Sequence, residues 1–105
     1  MTQPSTLVTR LYTGDTITAS KARKAGIRNP IQCLYEIRLR HVPIISKWEN
    51  GYKVYQIDPS RLPQIKDDVS LFQTCGTAAF DQLKLERYIC ARYISRALAR
   101  TQNEV

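Results

Sequence analysis

Ile17-Thr18-Ala19-Ser20-Lys21-Ala22-Arg23-Lys24-Ala25-Gly26-Ile27, with the Arg28-Asn29-Pro30 that follows it, decides how this chain is read. Thr18 suits an N-cap, because its hydroxyl can accept a hydrogen bond from an amide of the first turn. Ala19 to Ala25 then supply two helical turns, and Gly26 stands where a residue at positive φ ends a helix. Ala22 is small and central, so a following helix can cross closely, and Ile17 and Ile27 bracket the segment as apolar anchors. That following helix starts at once. Asn29 is its N-cap candidate, and Pro30 takes the first helical position, where a missing N–H costs nothing. Ile31, Leu34 and Ile37, with His41 next in the series, recur at helical spacing and predict the buried stripe of a helix over 30–40. Arg28, Gln32, Cys33, Glu36 and Arg40 are left on or near the other side. Two short helices with a tight glycine joint make a helix-turn-helix.

Upstream, Leu7, Val8, Leu11 and Tyr12 predict a short helix over 6–12 behind a frayed tail, broken by Thr13-Gly14-Asp15. After His41 the period becomes two. Val42 to Glu49 and Tyr52 to Ile57 read as strands joined by Asn50-Gly51, a pair suited to a turn that needs positive φ at both positions. Three helices and then a hairpin predict an α+β, mainly helical fold: a winged helix-turn-helix with a two-stranded wing. Lys47 and Lys53 flank the wing tip, where they suit phosphates. Trp48 is expected to fill the space between hairpin and helix, with stacking on a sugar as its other use. Asp58-Pro59 ends the second strand, so residues 1–59 form the expected DNA-binding domain. Residues 60–76, with Pro63 and the Asp67-Asp68 pair, read as a connector. Residues 77–105 read as a long C-terminal helix without glycine or proline to about Arg100. Its apolar face, Phe80, Leu83, Cys90, Ile94 and Leu98, predicts either a lid or, preferred, the arm of a homodimer.

The chain has 105 residues, about one domain with a modest core, which argues against a large catalytic cleft. Its formal net charge is +7, from 16 Lys and Arg against 9 Asp and Glu. Between Lys21 and Arg61 stand nine cations and three acids, so most of the surplus lies where the helix-turn-helix and hairpin are expected. A domain this basic suits a polyanionic partner. No apolar run approaches the length of a membrane span, and the polar N-terminus lacks the pattern of a signal peptide. Cys33, Cys75 and Cys90 form no CxxC pair, and His41 is the only histidine. The sequence therefore predicts no metal site and reduced thiols in a cytoplasmic protein. Cys75 and Cys90 read as packing residues, and Asp67-Asp68 is a lone acidic pair. With no GxGxxG, GxxxxGK[ST] or HExxH, neither an enzyme nor a cofactor is expected.

If the helix over 30–40 enters a major groove, its outward N-terminal residues approach base edges. Arg can pair with guanine, Gln with adenine, and Glu can accept from cytosine N4. That nominates Arg28, Asn29, Gln32, Cys33 and Glu36 as base readers, with capping the favoured role of Asn29 and Cys33 the weakest of the set. Lys21, Arg23, Lys24, Arg40, Lys47 and Lys53 are the phosphate candidates. The segment from Thr13 to Asp58 also resembles a family of small phage- and prophage-borne winged helix-turn-helix proteins. The matches are Ile17-Thr18, Ala22, Gly26-Ile27, Leu34, Glu36-Ile37-Arg38, Pro43-Ile44 and Tyr55-Gln56-Ile57. The resemblance implies DNA binding in mobile-element gene control, with double-stranded DNA as partner. Lys21 departs from an often acidic position of that family. His41 stands where a glycine usually ends the recognition helix, so it is expected to adopt a strained left-handed conformation or to shift the turn. The leading expectation is a sequence-specific transcriptional regulator, with an excisionase-like architectural factor as a variant. The alternative from another class is a phage module that inhibits a host protein.

Overall fold

The computed structural model describes residues 3–102. Local groups set the boundaries of its first half. α1 (Gln3–Tyr12) buries Ser5, Leu7, Val8 and Leu11, so part of the expected tail is the first turn of this helix. β1 (Ile17–Thr18) leads into α2 (Ala19–Lys24), where the Lys21 amide donates to Thr18 Oγ1 at 3.1 Å. α2 closes in a Schellman motif: the Ile27 amide donates to the Ala22 carbonyl and the Gly26 amide to that of Arg23, both at 3.0 Å. Gly26 has φ 93°, a conformation that favours glycine.

α3 (Pro30–Leu39) starts at Asn29, whose Oδ1 accepts from the Gln32 amide at 3.3 Å, with Pro30 in the first turn. Beyond its end His41 takes φ 63°, the left-handed one of the two alternatives expected there, at a cost of about 1–2 kcal/mol for a residue with a Cβ, and it is exposed, so it does not continue the buried stripe. Its inward stripe is Pro30, Cys33, Leu34 and Ile37. Ile31 is exposed instead, which corrects the expected stripe. Positions 30, 33, 34 and 37 keep the i, i+3, i+4, i+7 spacing, and Ile31 falls about a quarter-turn outside it.

β2 (Ile44–Glu49) and β3 (Tyr52–Ile57) pair antiparallel, Ile44 opposite Ile57 and Glu49 opposite Tyr52. Asn50 and Gly51 have φ 52° and 82°, as a type I′ turn requires. β1 adds to the other edge of β3, Ile17 opposite Tyr55, giving a three-stranded antiparallel sheet in the order β1-β3-β2. Period-two alternation turns Ile17, Ile44, Tyr55 and Ile57 onto the core, and β2 is exposed from Ile45 to Glu49. A Cβ at Gly51 meets no neighbouring atom, so the cost expected of Gly51→Val is chiefly backbone strain, about 1–2 kcal/mol. At roughly 4–8 °C per kcal/mol for a chain near this size, the thermal midpoint is expected to drop by about 5 °C or more; an unchanged midpoint would show that the turn conformation does not matter to stability.

The second half differs most from expectation. The expected connector is a helix, α4 (Leu62–Cys75), with Ile65, Asp68 and Val69 buried. A 3₁₀ helix (Gly76–Asp81) follows, and α5 (Leu85–Gln102) begins only after a break, so the expected continuous helix from Thr77 does not form. Pro63 lies in the first turn of α4, where it disturbs no helical hydrogen bond. α5 packs against both α1 and α4. Leu7, Leu11, Ile27, Leu34 and Ile37 from the first half share one buried cluster with Ile65, Val69, Cys90 and Ile94 from the second.

Candidate nucleic-acid interface

Helical geometry places the first group of cations. Ala22 is the buried residue of α2, so Lys21, Arg23 and Lys24 are all turned to solvent. Lys21 also lines a shallow concavity of about 250 Å³ with Thr18, Glu49, Asn50 and Tyr52, which brings α2 beside the hairpin tip.

Arg28, just before α3, and Gln32, Glu36 and Arg38 on it are exposed. With Leu34 and Ile37 inward, a 100° step per residue points Gln32, Tyr35 and Leu39 most directly away from the core. Of the nominated base readers, Gln32 is therefore on this outward face, and Arg28 is exposed two residues before the helix, its amide donating to Gln3 Oε1 at 2.9 Å. Asn29 is exposed, but its side chain is engaged as the helix cap. Cys33 is only 5% exposed and turns into the core, which removes it from any DNA-facing set. Glu36 and Arg40 turn towards α5, where the Arg40 guanidinium lies 5.6 Å from the Tyr93 ring centre.

The two hairpin lysines are divided by the pleat. Lys47 pairs with Val54 in the register, whereas Lys53 pairs with Trp48, so the lysines stand on opposite faces. Lys47 Nζ lies 3.5 Å from Glu49 Oε2 in an exposed ion pair worth little energy. Lys53 Nζ lies 5.9 Å from the Tyr55 ring centre. Trp48 is 74% exposed, which overturns the expectation that it fills the space between hairpin and helix. It shares the core-side face of the sheet but stands on the exposed far half of β2.

Sequence reasoning also missed the apolar character of α3's surface. Ile31, Tyr35 and Leu39 are 53%, 58% and 59% exposed, at i, i+4 and i+8. That spacing was present in the sequence, competing with the Leu34/Ile37 series for the role of buried stripe. The face nominated for self-association is largely covered by the chain itself. Cys90 and Ile94 are buried and Leu98 packs against the core. Leu83 is half-buried, and Phe80 lies before α5, edge-on to Tyr88 at 5.2 Å. Two copies reading successive grooves would need a different surface to join them.

Burial raises the Cys33 thiol above its ordinary pKa, with the Glu36 carboxylate adding to the effect. Cys90 is pushed up to about 12, chiefly by burial and secondly by the Asp68 carboxylate. Both therefore remain protonated at neutral pH, and the thiolate is the reactive form. Among the described residues, no group of three or more His, Cys, Asp or Glu side chains is placed to hold a metal ion. No helix among them is long and apolar enough to cross a membrane. Compared with protein-family models, curated proteins and solved structures, the chain matches none.

Proposed function

We propose that the first 59 residues act as a winged helix-turn-helix that binds duplex DNA, with α3 in the major groove and the β2-β3 hairpin as the wing. The observation that carries this is the outward face of α3, on which Gln32 stands exposed, together with Arg28 exposed just before the helix, the α2 cations turned to solvent and Lys53 exposed on the hairpin. Arg can donate twice, to guanine O6 and N7, and Gln can donate to adenine N7 while accepting from its N6–H. Lys21, Arg23 and Lys24 on α2 and Lys53 on β3 suit the neighbouring phosphates. The biological role that goes with this is sequence-specific control of transcription in a phage or other mobile element.

Titration of duplex DNA against salt tests the binding. Log K is expected to fall linearly with log salt, at roughly −0.9 per phosphate contacted. Lys21→Ala, Lys24→Ala and Lys53→Ala should each weaken binding to every sequence and make the slope shallower by about one. Gln32→Ala should leave non-specific affinity intact and relax the preference at one or two base positions. Absence of binding to random and selected duplexes at low salt would end the DNA reading. A protein partner would then inherit the face, since Ile31, Tyr35 and Leu39 give α3 the exposed apolar ridge by which a helix docks on another protein.

A further inference from the structure

A cleft of about 700 Å³ opens on the α5 side of α3, away from the hairpin, between the start of α1, the end of α3 and the last turns of α5. Arg40, Arg96 and Arg100 line it together with Glu36, Tyr93 and Leu39. None of the three arginines makes an ion pair among the described residues. Arg92 extends the series along α5 and lines an adjoining recess with Arg40 and Arg96. Arginines four residues apart on one helix repel each other, so the row is intrinsically unfavourable unless an anion joins it. Arg40 is held against the Tyr93 ring, which orients one guanidinium in the cleft before any ligand arrives.

We propose that this cleft binds a small organic phosphate of nucleotide size. Its volume falls within the roughly 300–1,000 Å³ usual for small-ligand sites. Three guanidiniums against the one Glu36 carboxylate leave a surplus of two positive charges, which matches a phosphate monoester carrying about −1.5 to −2 at pH 7. The guanidinium fork meets phosphate oxygens bidentately. Leu39 and the Tyr93 ring give an apolar surface for the organic part. Glu36 disfavours a ligand that is anionic throughout and offers an acceptor to an amino or hydroxyl group. Burial holds the Tyr93 hydroxyl above its ordinary pKa, so it stays protonated as a donor. The proposal does not depend on DNA binding: Leu39 borders both surfaces, but the arginines that carry the cleft stand at the end of α3 and on α5, whereas the DNA reading concerns the outward face of α3 and the hairpin.

The test is calorimetric titration of the full chain with adenosine 5′-monophosphate, with adenosine, inorganic phosphate and a short duplex as comparisons. Saturable binding of the monophosphate is expected, with none of adenosine and weaker binding of inorganic phosphate. Arg96→Gln and Arg100→Gln replace exposed side chains, so thermal midpoints should hold. Each should raise Kd about tenfold, the factor that 1.4 kcal/mol supplies. Affinity should also rise between about pH 5 and pH 7, as the phosphate takes its second negative charge near pH 6. No saturation by about 10 mM monophosphate overturns the proposal, as does binding unchanged in the arginine variants or equally tight for inorganic phosphate. Loss of duplex affinity in those variants, with the monophosphate ignored by the wild type, assigns the arginines to DNA and also overturns it. A wild type that binds the monophosphate but no duplex supports the cleft and rejects only the DNA reading.

Discussion

A chain ending at Ser60 is expected to show no cooperative thermal transition and a collapsed, poorly dispersed amide spectrum. The reason lies in what covers α1. Leu7, Val8 and Leu11 are fully buried, and α5 packs along the helix that carries them, with Thr9 Oγ1 and Thr101 Oγ1 3.4 Å apart across the contact. Fully burying such a side chain contributes about 1.5–3 kcal/mol, so uncovering half of three of them costs roughly 2–5 kcal/mol. The shortened chain also loses Ile65, Val69, Cys90 and Ile94 from the shared cluster. A domain of this size holds only about 5–15 kcal/mol in total, and a chain near 60 residues buries a smaller share of its surface to begin with. Far-UV circular dichroism during a thermal melt, with an amide correlation spectrum, measures the outcome. A sigmoidal melt and a dispersed spectrum would show that the first 59 residues hold a core of their own, and that α4 and α5 only decorate it.

The helix boundaries around residues 17–41 and the hairpin turn were legible in the sequence because they depend on groups a few residues apart. Thr18, Asn29 and Pro30 act within one turn, and Gly26 and Asn50-Gly51 answer to backbone φ. What failed depended on distant partners. Ile31 and Cys33 both fit an apolar stripe, and the neighbours of α3, not its own periodicity, decide that Cys33 goes inward. Trp48 has the side chain most expected to be buried, yet it stands where the hairpin has run past the body of the fold. Pro63 and the acidic pair suggested a connector. The proline falls in a first turn that tolerates it, and the Asp68 charge is answered by a residue nineteen positions away. The Arg40–Arg96–Arg100 cleft was equally hidden, since one of its sides lies more than fifty residues from the other in the chain. β1 is only two residues long and carries no pattern of its own; its partner on β3 makes it a strand.

The Asp68–Arg87 pair leads to the last expected result: Arg87→Ala destabilises the fold by about 2–3 kcal/mol. Arg87 Nε donates to Asp68 Oδ2 at 2.9 Å and its terminal nitrogen donates to Oδ1 at 2.7 Å, a bidentate pair that ties α5 to α4. The Asp68 side chain is nearly buried and the guanidinium is about one-third exposed. Removing one partner of a fully buried pair costs about 3–5 kcal/mol, because the remaining charge is left without compensation. Partial exposure lowers that figure, since water can approach the vacated position. At roughly 4–8 °C per kcal/mol, the thermal midpoint should fall by about 10 °C or more. The loss should belong mainly to the stranded carboxylate and not to missing attraction. The double variant Asp68→Leu/Arg87→Met, which replaces the ion pair by apolar groups of similar volume, is therefore expected to lie close to the wild type. Chemical denaturation of the single and double variants measures both quantities. If Arg87→Ala falls within about 0.5 kcal/mol of the wild type, the pair contributes nothing, and Phe72 and Tyr88, whose rings lie 5.7 Å apart across the same helices, hold α4 and α5 together with the apolar core. If the double variant is as unstable as the single one, the attraction itself is what the fold needs, and the stranded charge is not the cause.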